Sequence, residues 1–90
     1  MITLPTEVRA YKRTPEFDEH TVPAGLLRAH TTKPGVWGRI VVLEGSLLYR
    51  VPTRGLALTL DTSRVGIVEP EVPHEVEPRG HVRFYVEFLR

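Results

Sequence analysis

Eight prolines and seven glycines break this ninety-residue chain every few positions, and that punctuation excludes most folds at once. Proline removes a backbone donor and glycine weakens a helix interior. Between the breaks no stretch keeps the 3.6-residue apolar period of an amphipathic helix, so nothing beyond a single helical turn is expected. The segments between the breaks read instead as short strands. Gly25 to Thr31 is one, closed by the turn residues Thr32-Lys33-Pro34-Gly35. Val36 to Leu43 is a near-continuous apolar run, as in a strand covered on both faces. Glu44-Gly45 reads as a hairpin turn with Ser46 to Val51 returning, and Pro52 to Gly55 as another turn. Leu56 to Leu60 alternates large and small side chains with period two, and Asp61 to Arg64 turns again. Val65 to Val68, Val72 to Glu77 and, after Pro78-Arg79-Gly80, His81 to Leu89 complete the series. Seven or eight short strands at this spacing predict an all-β sandwich or barrel in one domain spanning 1–90. Residues 1–22 read as an extended arm able to cover a sheet edge.

Composition narrows the function. The net charge of +1 lacks the basic footprint of a nucleic-acid binder. No apolar run approaches the length of a membrane helix, and Met1 to Lys12 lacks the apolar core of a signal peptide. Without cysteine there are no disulfides and no thiolate metal ligands, consistent with a cytoplasmic setting. Arginine supplies nearly all of the positive charge; only Lys12 and Lys33 are lysine. A β-domain this small has exposed edges and a modest core, and both parities of Val36 to Leu43 and Val82 to Leu89 carry apolar residues. A homodimer is therefore expected.

Chemistry concentrates at Pro70-Glu71-Val72-Pro73-His74-Glu75-Val76-Glu77-Pro78. Val72, His74 and Val76 share one strand parity and Glu75 and Glu77 the other, so an imidazole stands on the apolar face. Such a group needs a hydrogen-bond partner or a metal, and the pattern alone leaves both open. Arg28 shares parity with Leu26 and His30, which suits either an anion at a cavity mouth or an exposed edge charge. Trp37, with Tyr49, Phe84 and Tyr85, either lines a pocket or packs the core. No phosphate loop and no nucleophile elbow is present.

Pro70-Glu71-Val72-Pro73-His74 resembles the second cupin motif, and His30 followed by Val36 to Leu43 and Glu44-Gly45 resembles the first. Thr14-Pro15, Pro23-Ala24-Gly25-Leu26 and His30-Thr31-Thr32-Lys33-Pro34-Gly35-Val36-Trp37-Gly38 resemble the YeaR-like domain, which also forms the N-terminal part of some tellurite-resistance methyltransferases of the TehB type. The resemblance runs from about Tyr11 to Phe88. It implies a cupin-type β-barrel (a jelly-roll-like double-stranded β-helix) with His30 and His74 converging on a divalent metal such as zinc, iron or nickel. Only one histidine of the first motif is present: Thr32 and Gly38 stand where a second histidine and a glutamate are usual. Glu87 is the candidate third ligand, although the parity of Val82, Phe84, Val86 and Phe88 turns it outward, towards an arginine.

Three readings follow. One is a small metal- or ligand-binding protein linked to oxyanion (tellurite) or nitrosative stress, taking a small anion near Arg28 and Trp37. A second is a metal-dependent enzyme of dioxygenase or isomerase type. A third is a metal-free scaffold whose histidines only hydrogen-bond.

Overall fold

The computed structural model describes residues 3–28 and 30–90. Six strands form one antiparallel sheet: β1 (Ala10–Arg13), β2 (Phe17–Asp18), β3 (Trp37–Val51), β4 (Leu56–Leu60), β5 (Gly66–Val68) and β6 (Glu75–Leu89). No α-helix occurs among the described residues; two 3-10 turns, Ala24–Leu27 and Pro52–Arg54, are the only helical backbone there. The sheet has four rows. β3 and β6 run side by side through its middle, from Trp37↔Leu89 to Arg50↔Glu75. β4 and β5 share the outer edge of β3, and β1 and β2 share the outer edge of β6.

Two expected turns are bends inside strands. Gly45 and Gly80 both lie in the left-handed region, at φ +73° and +72°. That conformation serves a hairpin turn or a β-bulge equally well. Here the β3–β6 register shifts between Val42 and Glu44 and again between Gly45 and Leu47. The chain kinks at these points and runs on, so the strands expected at Val36–Leu43 and Ser46–Val51 become one 15-residue strand, Trp37–Val51. The same holds for β6 across Pro78 to Gly80.

The bent sheet buries one face. Ile40, Val42, Leu47, Tyr49 and Val51 of β3 meet Val76, Val82, Phe84 and Val86 of β6, with Leu60 and Val68 from the outer edge. Period two accounts for this, because alternate residues of both long strands are buried. A closed barrel, however, does not form. β4 is five residues long and β1 four, and no hydrogen-bonded pairing joins these two edges. Gly25 to Thr31 is likewise not a strand. Ala24–Leu27 is a 3-10 turn packing Leu26 on the core, Ala29 lies outside the described residues, and His30 makes an isolated bridge to His74.

The arm covers the edge of β6, apart from Met1 and Ile2, which lie outside the described residues. Phe17 meets Phe84 at 5.7 Å between ring centroids, and Glu19 accepts from the Val82 N–H at 3.1 Å. The His81 ring fastens this end. Nδ1 lies 3.2 Å from Glu19 Oε1 and Nε2 2.8 Å from Glu44 Oε1. Carboxylates only accept, so the two bonds form together only when both ring nitrogens donate, as in the imidazolium. Its bonds to Glu44 and Glu19 raise the His81 pKa above 6.5. Glu19 is lowered from 4.5 to about 2, first by the Val82 N–H.

This clamp has a signed pH dependence. The raised His81 contributes stability in full below its unfolded value near 6.5 and loses it as pH rises through the folded value. The lowered Glu19 contributes above 4.5 and loses that as pH falls towards about 2. The difference in melting temperature between wild type and His81→Ala is therefore expected to be largest between those values and to shrink above neutrality. A difference that stays constant into the alkaline range would show that His81 does not act through its charge.

Candidate functional site

His30 and His74 do come together. Their backbones form an antiparallel bridge, His30 N–H to His74 O at 2.8 Å and His74 N–H to His30 O at 2.9 Å. Their rings meet edge to face at 5.4 Å, and Tyr49 meets His74 at 6.0 Å. His74 is 5% exposed. Its Nδ1 lies 3.2 Å from the Val72 carbonyl oxygen, which can only accept, so Nδ1 carries the proton of the neutral ring. Burial pushes the His74 pKa down, the Val72 carbonyl opposes this, and charge on His30 lowers it further. The cavity beside the two rings measures about 40 Å³ and is otherwise walled mainly by core residues such as Ile40, Val68 and Phe84. Organic ligands need several hundred Å³.

The other expected site residues lie elsewhere. Glu87 is bound to Arg39, with Arg39 Nη2 2.8 Å from Glu87 Oε1, and does not line the histidine cavity. Arg28 is exposed at the end of the first 3-10 turn. Trp37 is half-buried at the start of β3, opposite Leu89. Neither borders a described cavity.

On the outer side of His30 a second cavity, of about 210 Å³, is bordered by Lys12, Thr31, Thr32 and Lys33, with Tyr11 and Phe88 as aromatic walls. The Thr32 hydroxyl, 9% exposed as a residue, donates to the Val36 carbonyl at 2.7 Å. Val36 N–H bonds the Lys33 carbonyl at 3.0 Å, and Gly35 takes φ +75°. The turn that presents Lys33 is thus held from both ends. Both lysines of the chain border this one cavity, and no carboxylate does. That scarcity of lysine was the available signal; the sequence could not show that residues 12 and 33 meet.

A third and larger space, a groove of about 610 Å³, lies along β4 and the segment before β5. Leu56, Leu58, Val65 and Ile67 line it, with Arg54, Arg64 and Tyr49. The Tyr49 hydroxyl donates to the Ile67 carbonyl at 2.9 Å, and its pKa is pushed up to about 12 by burial and then by the charge of Glu69.

Residues 12–86 match the TehB-like domain family. The chain belongs to that family. Two relatives from Haemophilus influenzae, strains KW20/Rd and 10810, are named "Probable S-adenosyl-L-methionine-dependent methyltransferase TehB". They are 32% and 30% identical to it in an alignment of 76 residues that covers 79% of this chain and 27% of each relative. The chain thus spans about a quarter of the length of these curated relatives. The crystal structure of TehB from Haemophilus influenzae superposes with a TM-score of 0.82 at 26% identity, covering 93% of this chain and 32% of that one. An Escherichia coli K12 protein superposes with a TM-score of 0.90 over 100% of this chain and 97% of its own, at 23% identity, a likeness of fold alone.

These findings overturn the expected divalent metal. The TehB relatives are named for S-adenosyl-L-methionine, not for a metal. The donor set agrees: His74 Nδ1 is engaged by Val72, Glu87 by Arg39, and no group of three His, Cys, Asp or Glu suited to a metal exists among the described residues. Two imidazoles are one ligand short of the usual minimum. No helix among the described residues is long and apolar enough to cross a membrane.

Proposed function

We propose that this domain is a ligand-holding module of the TehB-like family, serving oxyanion or nitrosative stress chemistry by capturing a small anion, and that it does not itself transfer a methyl group. The observation that carries this reading is the cavity in which Lys12, Lys33 and His30 meet without a carboxylate among its bordering residues. Two ammonium groups, an imidazole and the hydroxyl of Thr31 are donors suited to a compact oxyanion.

The methyl donor named for the relatives does not fit the residues present. S-adenosyl-L-methionine carries a sulfonium cation and ribose hydroxyls. The groove large enough for it is bordered by two guanidiniums and by no carboxylate, and nearby Glu69 is taken up by Arg54 at 3.1 Å. The groove also lacks an acid–base group working near neutrality, since Tyr49 stays protonated up to about 12. The histidine cavity is too small for substrate. These points disfavour the enzyme reading.

Calorimetric titration separates the possibilities. Tellurite is expected to bind saturably and to weaken as salt is raised. A Lys12→Ala, Lys33→Ala double variant should lose about tenfold in affinity or more, as expected for charge-assisted bonds. S-adenosyl-L-methionine should give no saturable heat. Saturable binding of the methyl donor, or tellurite binding unchanged in the double variant, would overturn the proposal.

A further inference from the structure

The groove along β4 is a second site, of different chemistry, and its origin is the open sheet. The register sets Val51 opposite Leu56 and Tyr49 opposite Leu58. Leu56 and Leu58 therefore share the face of Tyr49 and Val51, which is the face of the core. In a closed barrel another strand would cover them. Here they stay half-buried and line the groove. A strand rises about 3.4 Å per residue, so Leu56 and Leu58 lay down roughly 7 Å of apolar floor. Val65, 47% exposed, adds to the apolar lining from the segment before β5.

The polar part of the lining is cationic. Arg54 is neutralised by Glu69 at 3.1 Å. The Arg64 guanidinium has no ion-pair or hydrogen-bond partner among the described residues, whereas Arg39, Arg50 and Arg83 each hold a carboxylate at 3.0 Å or less. Asp61, the nearest acid in sequence, turns one oxygen to the Ser63 N–H and hydroxyl at 2.9 and 2.7 Å. It meets Arg64 through the backbone bridge and through charge. An apolar floor with one free guanidinium selects a single negative charge on an apolar body.

We infer that this groove binds a carboxylate-headed amphiphile, its head on Arg64 and its tail along Leu56, Leu58 and Val65. This site shares no bordering residue with the lysine cavity and does not depend on an oxyanion being held there.

Octanoate is the probe, titrated calorimetrically into the intact chain, with acetate, octanol and octylammonium as comparators. Octanoate is expected to bind saturably. Affinity should rise about fourfold per methylene from butanoate to octanoate, the factor for burying one methylene. Octylammonium should not compete. Arg64→Ala should weaken octanoate about tenfold or more and leave octanol unchanged. Val65→Asp should weaken every tailed ligand. Both positions are exposed, so melting temperatures close to that of the wild type are expected and check that the variants fold. Absence of saturable octanoate binding up to millimolar concentration, equal binding of octylammonium, or an unaffected Arg64→Ala variant would overturn the inference. So would a dimer that Val65→Asp dissociates in a chain blind to octanoate, since the groove would then belong to a second copy. Tellurite binding that persists while octanoate fails sinks this inference alone, and the reverse result sinks only the lysine-cavity proposal.

Discussion

Replacing Gly45 with alanine is expected to cost about 3 kcal/mol or more, lowering the melting temperature by roughly 12–24 °C for a domain of this size. Two effects add. The left-handed backbone at φ +73° costs a β-carbon about 1–2 kcal/mol. That carbon would also overlap the His81 carbonyl oxygen and stand 3.1 Å from Val82 Cα. Both obstacles are backbone of β6, so relief requires the two central strands to part at the bend. Gly80 supplies the control: its φ is +72°, yet a β-carbon there meets nothing within 4 Å. Gly80→Ala should therefore show only the conformational part, about 1–2 kcal/mol. Thermal melts of the two variants measure the difference; equal losses would mean that Gly45 is needed for its torsion and not for close approach.

Truncating Phe84 to alanine should cost about 3–5 kcal/mol, the usual range for a buried phenylalanine. Phe84 is fully buried and meets Phe17 from the arm. It also borders the histidine cavity, so the vacated volume would merge with the existing 40 Å³. Partial collapse of Leu26 and Phe88 into the gap would bring the cost towards the lower end. Phe17 is half-buried and should cost less on its own. A double-mutant cycle in denaturant should show the two losses to be non-additive, because the rings are in contact. A Phe84→Ala loss below about 1 kcal/mol would contradict the packing described.

Period-two patterning was readable wherever a strand is half-buried. It placed Val76 and His74 inside and set Glu75 and Glu77 on the other face, where Arg50 binds both at 3.0 and 3.1 Å. It also turned Glu87 towards an arginine, and Arg39 is that residue. What local sequence could not decide was whether a left-handed glycine reverses a strand or only bends it. That choice rests on the partner strand, which for Gly45 lies at Val82. Without it, two long strands read as four short ones, and a sheet of many short strands reads as a closed barrel. The same locality hid the candidate sites. Lys12 and Lys33 are separated by the arm and a turn, and Arg64 became informative only once its lack of a carboxylate partner could be seen. The metal expectation failed for a different reason. Two histidines in the right order carried the likeness, while the remaining donors of such a site are a threonine and a glycine here.

The two central strands also govern the order in which the chain can assemble. Arg50 and Glu75, at one end of the β3–β6 ladder, are 25 residues apart, whereas Arg39 and Glu87, near the other, are 48 apart. Each doubling of a loop adds about 0.6 kcal/mol of closure entropy, so pairing is favoured first at the Arg50 end, with β4 already folded back on β3. The ladder then zips past the glycine bends towards Trp37 and Leu89, and the arm docks on a strand edge that exists only afterwards. Phe84 lies in the late half of this sequence. Its truncation should therefore accelerate unfolding more than it slows folding. During synthesis, the apolar first half of β3 must wait, with only the short β5 available for its other edge, for β6 residues made some forty positions later, and that interval is when the chain is most open to self-association.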